Sequence, residues 1–517
     1  MRLRKLLLLF GIVNATLYSM LLPLWEGFDE AFHYSYVENL RQTNQLPILG
    51  QTMVPSDVLT SLQLAAVSNV VHAAVPETTS FDAWFSLPEA EKARRREELD
   101  RLYPSPGSST RPNYEAHHPP LAYFLLALVD WFAAITPITS RILVLRLFCA
   151  VSSTILLFWG ATRLFRTLEL PAAFATAALF TIFCSQMLYA TIAHVANDWL
   201  AVGVSAVFFA ALAEFVNKPD RRTARITALW LGAGLLTKAY FLVLAVLAFL
   251  ATMILIWRRR TSIRTVFGAA MLVIALAGPW YARNLILYGN VSGTQEEFDG
   301  IGLRRTLAAA PHMDWAATIG YLARGSLWTG NNSFTSFSWS TLNTVLALLL
   351  LAVAVWSRRK DLIRPAEQSV FFGIVLFSIA VAYASCSMYA HTNGASAGAS
   401  PWYTQVLLVP VVSLAYLGMS RWKRSGTILG VGTVAIWTWV IIATWVVKLF
   451  PMYSGGGAAP MRIGDVWNWY AHGAAAHMSS LTLLALAPAP ILYAWLLISL
   501  SMSLFLSGAV IRDVMQD

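Results

Sequence analysis

Long apolar runs separated by short polar turns repeat along almost the whole chain. A helix that crosses a bilayer needs about 20 mainly apolar residues, and shorter runs are tolerated where neighbouring helices support them. We read the first run as a retained helix, because no small-residue cleavage site of a secretory signal follows it. The pattern predicts an all-α polytopic membrane protein. Its twelve predicted spans are residues 6–24, 142–162, 172–192, 198–216, 226–238, 240–257, 265–284, 341–357, 368–388, 403–419, 426–448 and 481–508.

Basic clusters between the apolar runs decide between two topologies. Residues 119–136 are apolar enough to span, and residues 226–257 could form one long helix or two short ones. Lys and Arg are enriched in cytoplasmic loops. Every compact basic cluster between spans becomes cytoplasmic only if 119–136 lies on the outer surface as a juxtamembrane helix and 226–257 crosses twice. We therefore predict a multi-pass protein of the plasma (inner) membrane with both termini inside.

The composition supports this class and excludes others. Of the 517 residues, 57% are hydrophobic and 12% are charged, against roughly 25% charged residues in a soluble domain. The formal net charge of +10 could suggest a nucleic-acid partner, but the basic residues lie mostly in short clusters between spans. No nucleic-acid partner is therefore expected. Cys149, Cys184 and Cys386 all lie in apolar runs, so no disulfide framework is expected.

Polar side chains from distant parts of the sequence are predicted to meet at the outer ends of the spans. An acidic pair follows the first span directly, and charged groups at the edge of the hydrocarbon layer are costly unless they have a function. The full set is Asp29, Glu30, His33, His117, His118, His194, Asn197, Asp198, Lys238, Arg283 and Asn284. Carboxylates can deprotonate a hydroxyl group, and Lys and Arg can hold a phosphate. The set fits transfer from an anionic, lipid-borne donor.

These residues also have structural interpretations. The Asp29–Glu30 and Asn197–Asp198 pairs could cap the helices that follow them. Lys238 could only stabilise a turn, and Arg283 could only mark a membrane interface. The histidines of the first loop lack the ligand spacing of a zinc site. The sequence therefore indicates no cofactor and no metal site, although it leaves a divalent cation open.

Five short strings, in this order, resemble motifs of the GT-C superfamily of integral-membrane glycosyltransferases. The strings are Phe28–His33, His118–Leu121, Ala196–Trp199, Gly234–Lys238 and Gly278–Asn290. They are most similar to bacterial relatives of the aminoarabinose and protein-mannosyl transferases. The resemblance covers about residues 1–290 and implies a GT-C-like catalytic module there.

The C-terminal half of the chain resembles the superfamily less well than residues 1–290 do. The module at 1–290 includes the long outer loop 25–141. Residues 291–517 form a second transmembrane region, with outer loops at 291–340, 389–402 and 449–480.

The resemblance implies transfer of a sugar from a polyprenyl-phosphate carrier to an extracytoplasmic acceptor in the cell envelope, which could be a glycan, a lipid or a protein. Asp29 would be the base, Glu30 and Asp198 would be supporting acids, and Lys238 and Arg283 would bind the phosphate. The other implied substrate-binding residues are His33, His117, His118, Asn197, Asn284 and Tyr403.

One position departs from the superfamily pattern. Many relatives have an Arg-Tyr pair where this chain has Trp402-Tyr403, so the arginine is absent. The aromatic-rich loop 449–480 could compensate, since stacking aromatic rings suit sugar faces as well as lipid interfaces. Its candidates are Trp467, Asn468, Trp469 and Tyr470.

The main alternative is a transporter or flippase of a lipid-linked sugar, and a structural assembly protein is a third. A transporter predicts charged residues near the midplane of the spans and pseudo-repeated halves. In this chain the polar residues collect at the outer ends of the spans, which favours the enzyme.

Overall fold

The computed structural model of the protein describes residues 2–105, 107–327, 337–358, 363–395, 398–456 and 463–516. Its first element, α1 (Arg2–Leu21), is followed by a long segment of short elements. These are α2 (Glu30–Thr43), β1 (Met53–Pro55), α3 (Ser56–Leu64), β2 (Ala66–Val67), α4 (Asn69–Ala74), β3 (Thr79–Ser80), α5 (Phe81–Ser86), α6 (Glu89–Leu99), β4 (Ser108–Pro112), a 3₁₀ turn at Tyr114–His117 and α7 (Leu121–Ala133).

Long apolar helices make up most of the next stretch. They are α8 (Ile138–Thr167), α9 (Ala172–Cys184), α10 (Gln186–Ile192), α11 (Asp198–Asn217), α12 (Arg221–Leu235), α13 (Phe241–Trp257) and α14 (Ile263–Tyr288). A break at Ser185 separates α9 and α10, which are bent by 59° relative to each other. The predicted span 172–192 is thus a broken helix.

The last part of the chain begins with short helices and returns to long ones. They are α15 (Gln295–Phe298), α16 (Leu303–Ala309), a 3₁₀ turn at Ala310–His312, α17 (Trp315–Leu327), α18 (Trp339–Arg358), α19 (Pro365–His391), a 3₁₀ segment at Pro401–Leu407, α20 (Leu408–Ser420), α21 (Lys423–Ala443), π-helical turns at Thr444–Leu449 and Met452–Gly456, α22 (Ile463–Ala471), α23 (Ala474–Leu484) and α24 (Ala489–Gln516). Parts of three predicted outer loops, 328–336, 396–397 and 457–462, lie outside the described residues.

Each of the twelve predicted spans overlaps helical segments in the described part of the chain. Eight helices there are long and apolar enough to cross a membrane, and the bent α9–α10 pair could be a ninth. The remaining three predicted spans correspond to α12, α13 and α18, whose described apolar stretches are shorter than those of the eight long helices. The sequence had indicated short helices at 226–238 and 240–257. The prediction of an all-α polytopic membrane protein is confirmed.

The boundaries of the last span were wrong. Residues 481–508 are not one helix, because α23 ends at Leu484 and α24 begins at Ala489. The backbone N–H groups of Leu486 and Ala487 instead donate to the carbonyl oxygen of Met20, at 3.1 and 3.3 Å. Since these groups are used by the end of α1, the helical ladder cannot continue through them.

The helix α7 fits the predicted surface position. At 13 residues it is too short to cross a bilayer unaided. Its exposed side chains are large and apolar: Leu128, Trp131 and Phe132 are 64%, 66% and 76% exposed. Such a face is typical of a helix that lies in the membrane interface.

The candidate site lies where the first loop returns to the helical bundle. Almost every residue of α11 is buried, so this helix is the centre of the packing. The antiparallel pairing of β1 with β4 places Met53 opposite Pro112. This pairing leads the chain directly into the 3₁₀ turn Tyr114–His117, which lies close to the start of α2.

Candidate active site

Asp29 precedes α2 in an unusual backbone conformation. Its φ of 53° and ψ of 20° are left-handed, which non-glycine residues rarely adopt. Its half-buried carboxylate does not cap the helix; Oδ1 instead accepts a hydrogen bond of 2.7 Å from the Tyr114 hydroxyl. The interpretation of Asp29 as a helix cap is therefore wrong. A sparsely populated backbone conformation held by its surroundings is common at functional sites.

The environment of Asp29 raises the pKa of its carboxyl group to about 6. Burial has the largest effect, and the charge of Glu115 adds to it. The hydrogen bond from Tyr114 and the charge of Lys238 act in the opposite direction. A carboxyl group whose pKa lies near the working pH suits general base catalysis.

Glu30 joins several chain segments behind Asp29. Arg146 of α8 binds both oxygens of its carboxylate, with Nε donating to Oε1 at 2.8 Å, and the N–H of Val195 donates to the same oxygen at 2.9 Å. Burial alone would raise the pKa of Glu30, but the charge and hydrogen bonds of Arg146 outweigh it and lower the pKa. Arg146 also donates to the carbonyl oxygens of Leu22 and Pro23, at 2.6 and 2.8 Å. Glu30 is therefore a buried anion that positions the start of α2.

Lys238 and Asp198 form a buried ion pair at the turn between α12 and α13. The Lys238 Nζ lies 2.6 Å from each carboxylate oxygen of Asp198. Asn197 precedes α11 but neither it nor Asp198 caps that helix through its side chain, so the capping interpretation of this pair is wrong as well. The ammonium group also lies over the ring of Tyr403, 5.0 Å from its centroid. The contacts of Lys238 thus extend beyond its own turn, and its predicted role in phosphate binding stays a prediction.

Three side chains of the first loop bring possible metal ligands together. His118 Nε2 lies 2.6 Å from Glu115 Oε2, and His33 Nδ1 lies 3.5 Å from the same oxygen and 2.8 Å from the Tyr123 hydroxyl. One ligand atom from each of His33, Glu115 and His118 lies within 4.8 Å of the others. Histidine nitrogens and a carboxylate are ligands that divalent cations accept. Glu115 is not among the residues that were predicted from the sequence.

The adjacent histidines His117 and His118 are neutral near pH 7. Burial lowers the pKa of His117 and of His118 to about 3 each. The Nδ1 of His117 lies 2.7 Å from the carbonyl oxygen of Tyr114, so Nδ1 carries the proton that is donated there. Burial also raises the pKa of Glu115 to about 7. Two carboxyl groups, Asp29 and Glu115, therefore titrate close to neutrality in one place.

Arg283 and Asn284 anchor the end of α14 to loops. The Arg283 Nη2 donates to the carbonyl oxygen of Pro47 at 2.7 Å, and its guanidinium lies 4.9 Å from the centroid of the Trp280 ring. Asn284 Nδ2 donates to the carbonyl oxygen of Val291 at 3.4 Å. These three contacts are structural. The predicted roles in substrate binding stay predictions, and the buried Nη1 of Arg283 has no protein partner in the described residues.

The Trp402-Tyr403 pair contributes to the site from the other half of the chain. Trp402 stacks on Phe28 with ring centroids 3.9 Å apart, so the residue that replaces the expected arginine packs beside Asp29. Tyr403 faces Lys238. The predicted compensation by the loop 449–480 stays a prediction; there, Trp469 stacks on His477 at 3.7 Å.

An apolar cavity of about 630 Å³, called here the apolar groove, is lined in part by Thr404 and Gln405, the two residues that follow Tyr403 in the chain. Its other walls come mainly from α17, α18, α19 and α20. Most of its other side chains are apolar, including Ile319, Leu322, Leu346, Ile374, Leu408 and Trp437. Tyr403, which faces Lys238, thus directly precedes two residues that line the groove.

Three residues of the site were not predicted from the sequence: Tyr114, Glu115 and Arg146. Arg146 had a usable signal, since a charged residue inside a predicted span marks a functional site by default. Glu115 also had one, because Glu115 and His118 are three residues apart and share one side of a helical turn. Tyr114 had none, since only the fold brings its hydroxyl to Asp29.

The solved structures that are similar to this chain include two of the same protein. One is ArnT from Cupriavidus metallidurans bound to undecaprenyl phosphate, with a TM-score of 0.47 and 12% identity over 99% of this chain and 77% of that chain. The other is the same ArnT in the apo state, with a TM-score of 0.47 and 13% identity over 98% of this chain and 76% of that chain. No protein-family model and no curated protein matches the chain.

Proposed function

We propose that this protein is a glycosyltransferase that moves a sugar from a polyprenyl-phosphate carrier to an extracytoplasmic acceptor. One observation carries the proposal: Asp29 has a carboxyl group with a pKa of about 6 and lies close enough to Lys238 for the charge of the ammonium group to lower that pKa. Lys238 in turn faces Tyr403, and the next two residues of the chain, Thr404 and Gln405, line the apolar groove. A base, a phosphate-binding cation and an apolar channel are the parts that this reaction needs.

In the proposed reaction, Asp29 takes the proton of an acceptor hydroxyl group. Oδ1 is held by Tyr114, so Oδ2 is the oxygen assigned to receive the proton. The acceptor oxygen forms a bond to the anomeric carbon of the sugar while the bond from that carbon to the phosphate oxygen breaks. The polyprenyl phosphate leaves with the bonding electrons. Lys238 stabilises the charge that develops on the leaving phosphate.

The apolar groove supports a lipid-linked donor. A phosphate bound at Lys238 would place the first isoprene units of its carrier beside Tyr403 and Thr404, and Thr404 lines the groove. The groove would then take the apolar chain, because burial of each CH₂ group contributes roughly 0.8 kcal/mol. The basic clusters, which lie at the other ends of the spans, support an outer location of the site.

The proposed reaction assigns no step to a metal ion. The His33, Glu115 and His118 group could nevertheless hold a divalent cation close to Asp29. Such a cation would supply additional positive charge for the donor phosphate.

A variant that fills the groove tests the donor assignment. Ala382 lines the groove, so Ala382→Trp should weaken the binding of a polyprenyl phosphate to the purified protein by at least tenfold. Leu504→Trp is the matched control, since Leu504 is 60% exposed on α24 and does not line the groove. Binding is measured by native mass spectrometry in detergent. Equal binding by both variants would contradict the donor assignment.

The pH dependence of transfer should report the ionisation of Asp29. A base must be deprotonated, so kcat/KM should rise as the pH increases through about 6 and then level off. Tyr114→Phe removes an interaction that lowers the pKa of Asp29, so this limb should move to higher pH. Glu115→Gln removes a charge that raises the pKa, so the limb should move to lower pH. Shifts in the same direction in both variants would exclude Asp29 as the titrating group.

A further inference from the structure

Four helix ends surround a second cavity at the end of the bundle opposite Asp29. The cavity has a volume of about 810 Å³. It lies among the first residues of α1 and α9 and the last turns of α8 and α24. The positive-inside rule assigns this end of the bundle to the cytoplasmic face. Nothing in the proposed transfer reaction uses it.

The charge in this cavity is predominantly positive. Arg4, Lys5 and Arg166 line it together with one carboxylate, that of Asp513. In the described parts of the chain none of these three cations forms an ion pair, whereas Arg163, one turn before Arg166, is paired with Glu214. A net positive cavity between membrane helices is suited to an anionic head group.

Two further features fit a phosphate that carries acyl chains. Ala172 and Ala173, at the start of α9, line the cavity, and Pro171 provides no side-chain cap for that helix end. The unpaired N–H groups of a helix N-terminus attract phosphate oxygens. Leu9 lies one turn beyond Lys5 on α1 and is 49% exposed, and Ile155 lies one turn before Phe158 on α8 and is 47% exposed. These side chains continue from the cavity as an apolar surface.

We propose that this cavity binds the head group of an anionic phospholipid from the cytoplasmic leaflet. The phosphate would lie among Arg4, Lys5 and Arg166, and the acyl chains would follow the exposed apolar side chains of α1 and α8. The site is separate from the Asp29 cluster, so its lipid is a bound structural partner and not a substrate.

Lipid binding to the full-length protein in detergent tests the proposal. Native mass spectrometry should show tighter retention of phosphatidylglycerol than of phosphatidylcholine with the same acyl chains. The variant Arg4→Gln, Lys5→Gln, Arg166→Gln should bind phosphatidylglycerol on the order of 100-fold more weakly, since each cation contributes about a fivefold factor. The control Arg258→Gln, Arg259→Gln, Arg264→Gln removes the same charge from an exposed turn and should keep wild-type binding.

A second variant keeps the test informative if the triple variant does not fold. Among the described residues, Asp513 supplies the one carboxylate that lines the cavity, so Asp513→Asn should bind phosphatidylglycerol more tightly than the wild type. Unchanged or weaker binding by Asp513→Asn would overturn the proposal. Equal loss in the control variant, or equal retention of phosphatidylcholine, would also overturn it. Inorganic phosphate that competes fully with the lipid would show an anion site without lipid specificity and would contradict the lipid assignment.

Discussion

Replacement of Asp29 by Asn should lower kcat for sugar transfer by on the order of 100- to 10,000-fold, the range for a positioned acid–base group. The substitution is nearly isosteric and keeps an oxygen that can accept the Tyr114 hydrogen bond. It removes the ability to take a proton from the acceptor. Donor affinity and thermal stability should therefore stay close to the wild-type values. The measurement is transfer of a labelled sugar by purified protein at saturating donor.

A matched control shows whether the loss of activity depends on the position of the substituted aspartate or on the substitution of any aspartate in this loop. Asp82 lies exposed on α5 in the same loop, so Asp82→Asn makes the same chemical change away from the site and should keep full activity. If Asp29→Asn also transfers sugar at the wild-type rate, Asp29 is not the base and the proposed mechanism fails.

Lys238 should be required for turnover. Its role in turnover can be measured separately from its contribution to stability. Lys238→Met removes the cation that stabilises the leaving phosphate, and loss of one such group typically lowers kcat by about 100- to 1,000-fold. The variant also leaves Asp198 buried without its partner. An uncompensated buried charge costs about 3–5 kcal/mol of stability, so the melting temperature should fall as well.

The double variant Lys238→Met, Asp198→Asn distinguishes the two effects. It removes both charges, and the replacement of a whole buried ion pair is often nearly neutral for stability. The melting temperature should therefore recover, whereas transfer should stay at the level of the single variant. Recovery of transfer together with stability would show that Lys238 only balances Asp198, and it would remove Lys238 from the mechanism.

The spanning helices were predictable because their signal is local. About 20 consecutive apolar residues suffice to identify a span, and the basic turns that follow them indicate its direction. The break between α23 and α24 also had a local signal that the predicted span 481–508 overlooked, because Pro488 has no backbone N–H and disfavours a helical conformation in the residue before it. Only the partner at the break depends on the fold, since the N–H groups of Leu486 and Ala487 donate to the carbonyl oxygen of the distant Met20.

Only the charged residues of the site could be predicted from the sequence. Asp29, Asp198 and Lys238 stand out because a charge beside an apolar run is rare and costly. Their partners depend on the fold: Tyr114 reaches Asp29 across 85 positions of the sequence, and Arg146 reaches Glu30 across 116. No periodicity or spacing links such residues, so the pKa of Asp29 could not be inferred from the sequence.

The most direct test of the proposed function is the fate of the donor lipid. Purified protein in detergent is incubated with a polyprenyl-phosphate-linked sugar and a cell-envelope acceptor preparation, and the lipid products are quantified by mass spectrometry. No second compartment exists in detergent, so transport cannot produce a signal. The wild type should release one free polyprenyl phosphate for each sugar transferred, and Asp29→Asn should release almost none. An intact donor after incubation with the wild type, combined with movement of the labelled donor across liposomes that contain the protein, would contradict the proposal and favour a flippase.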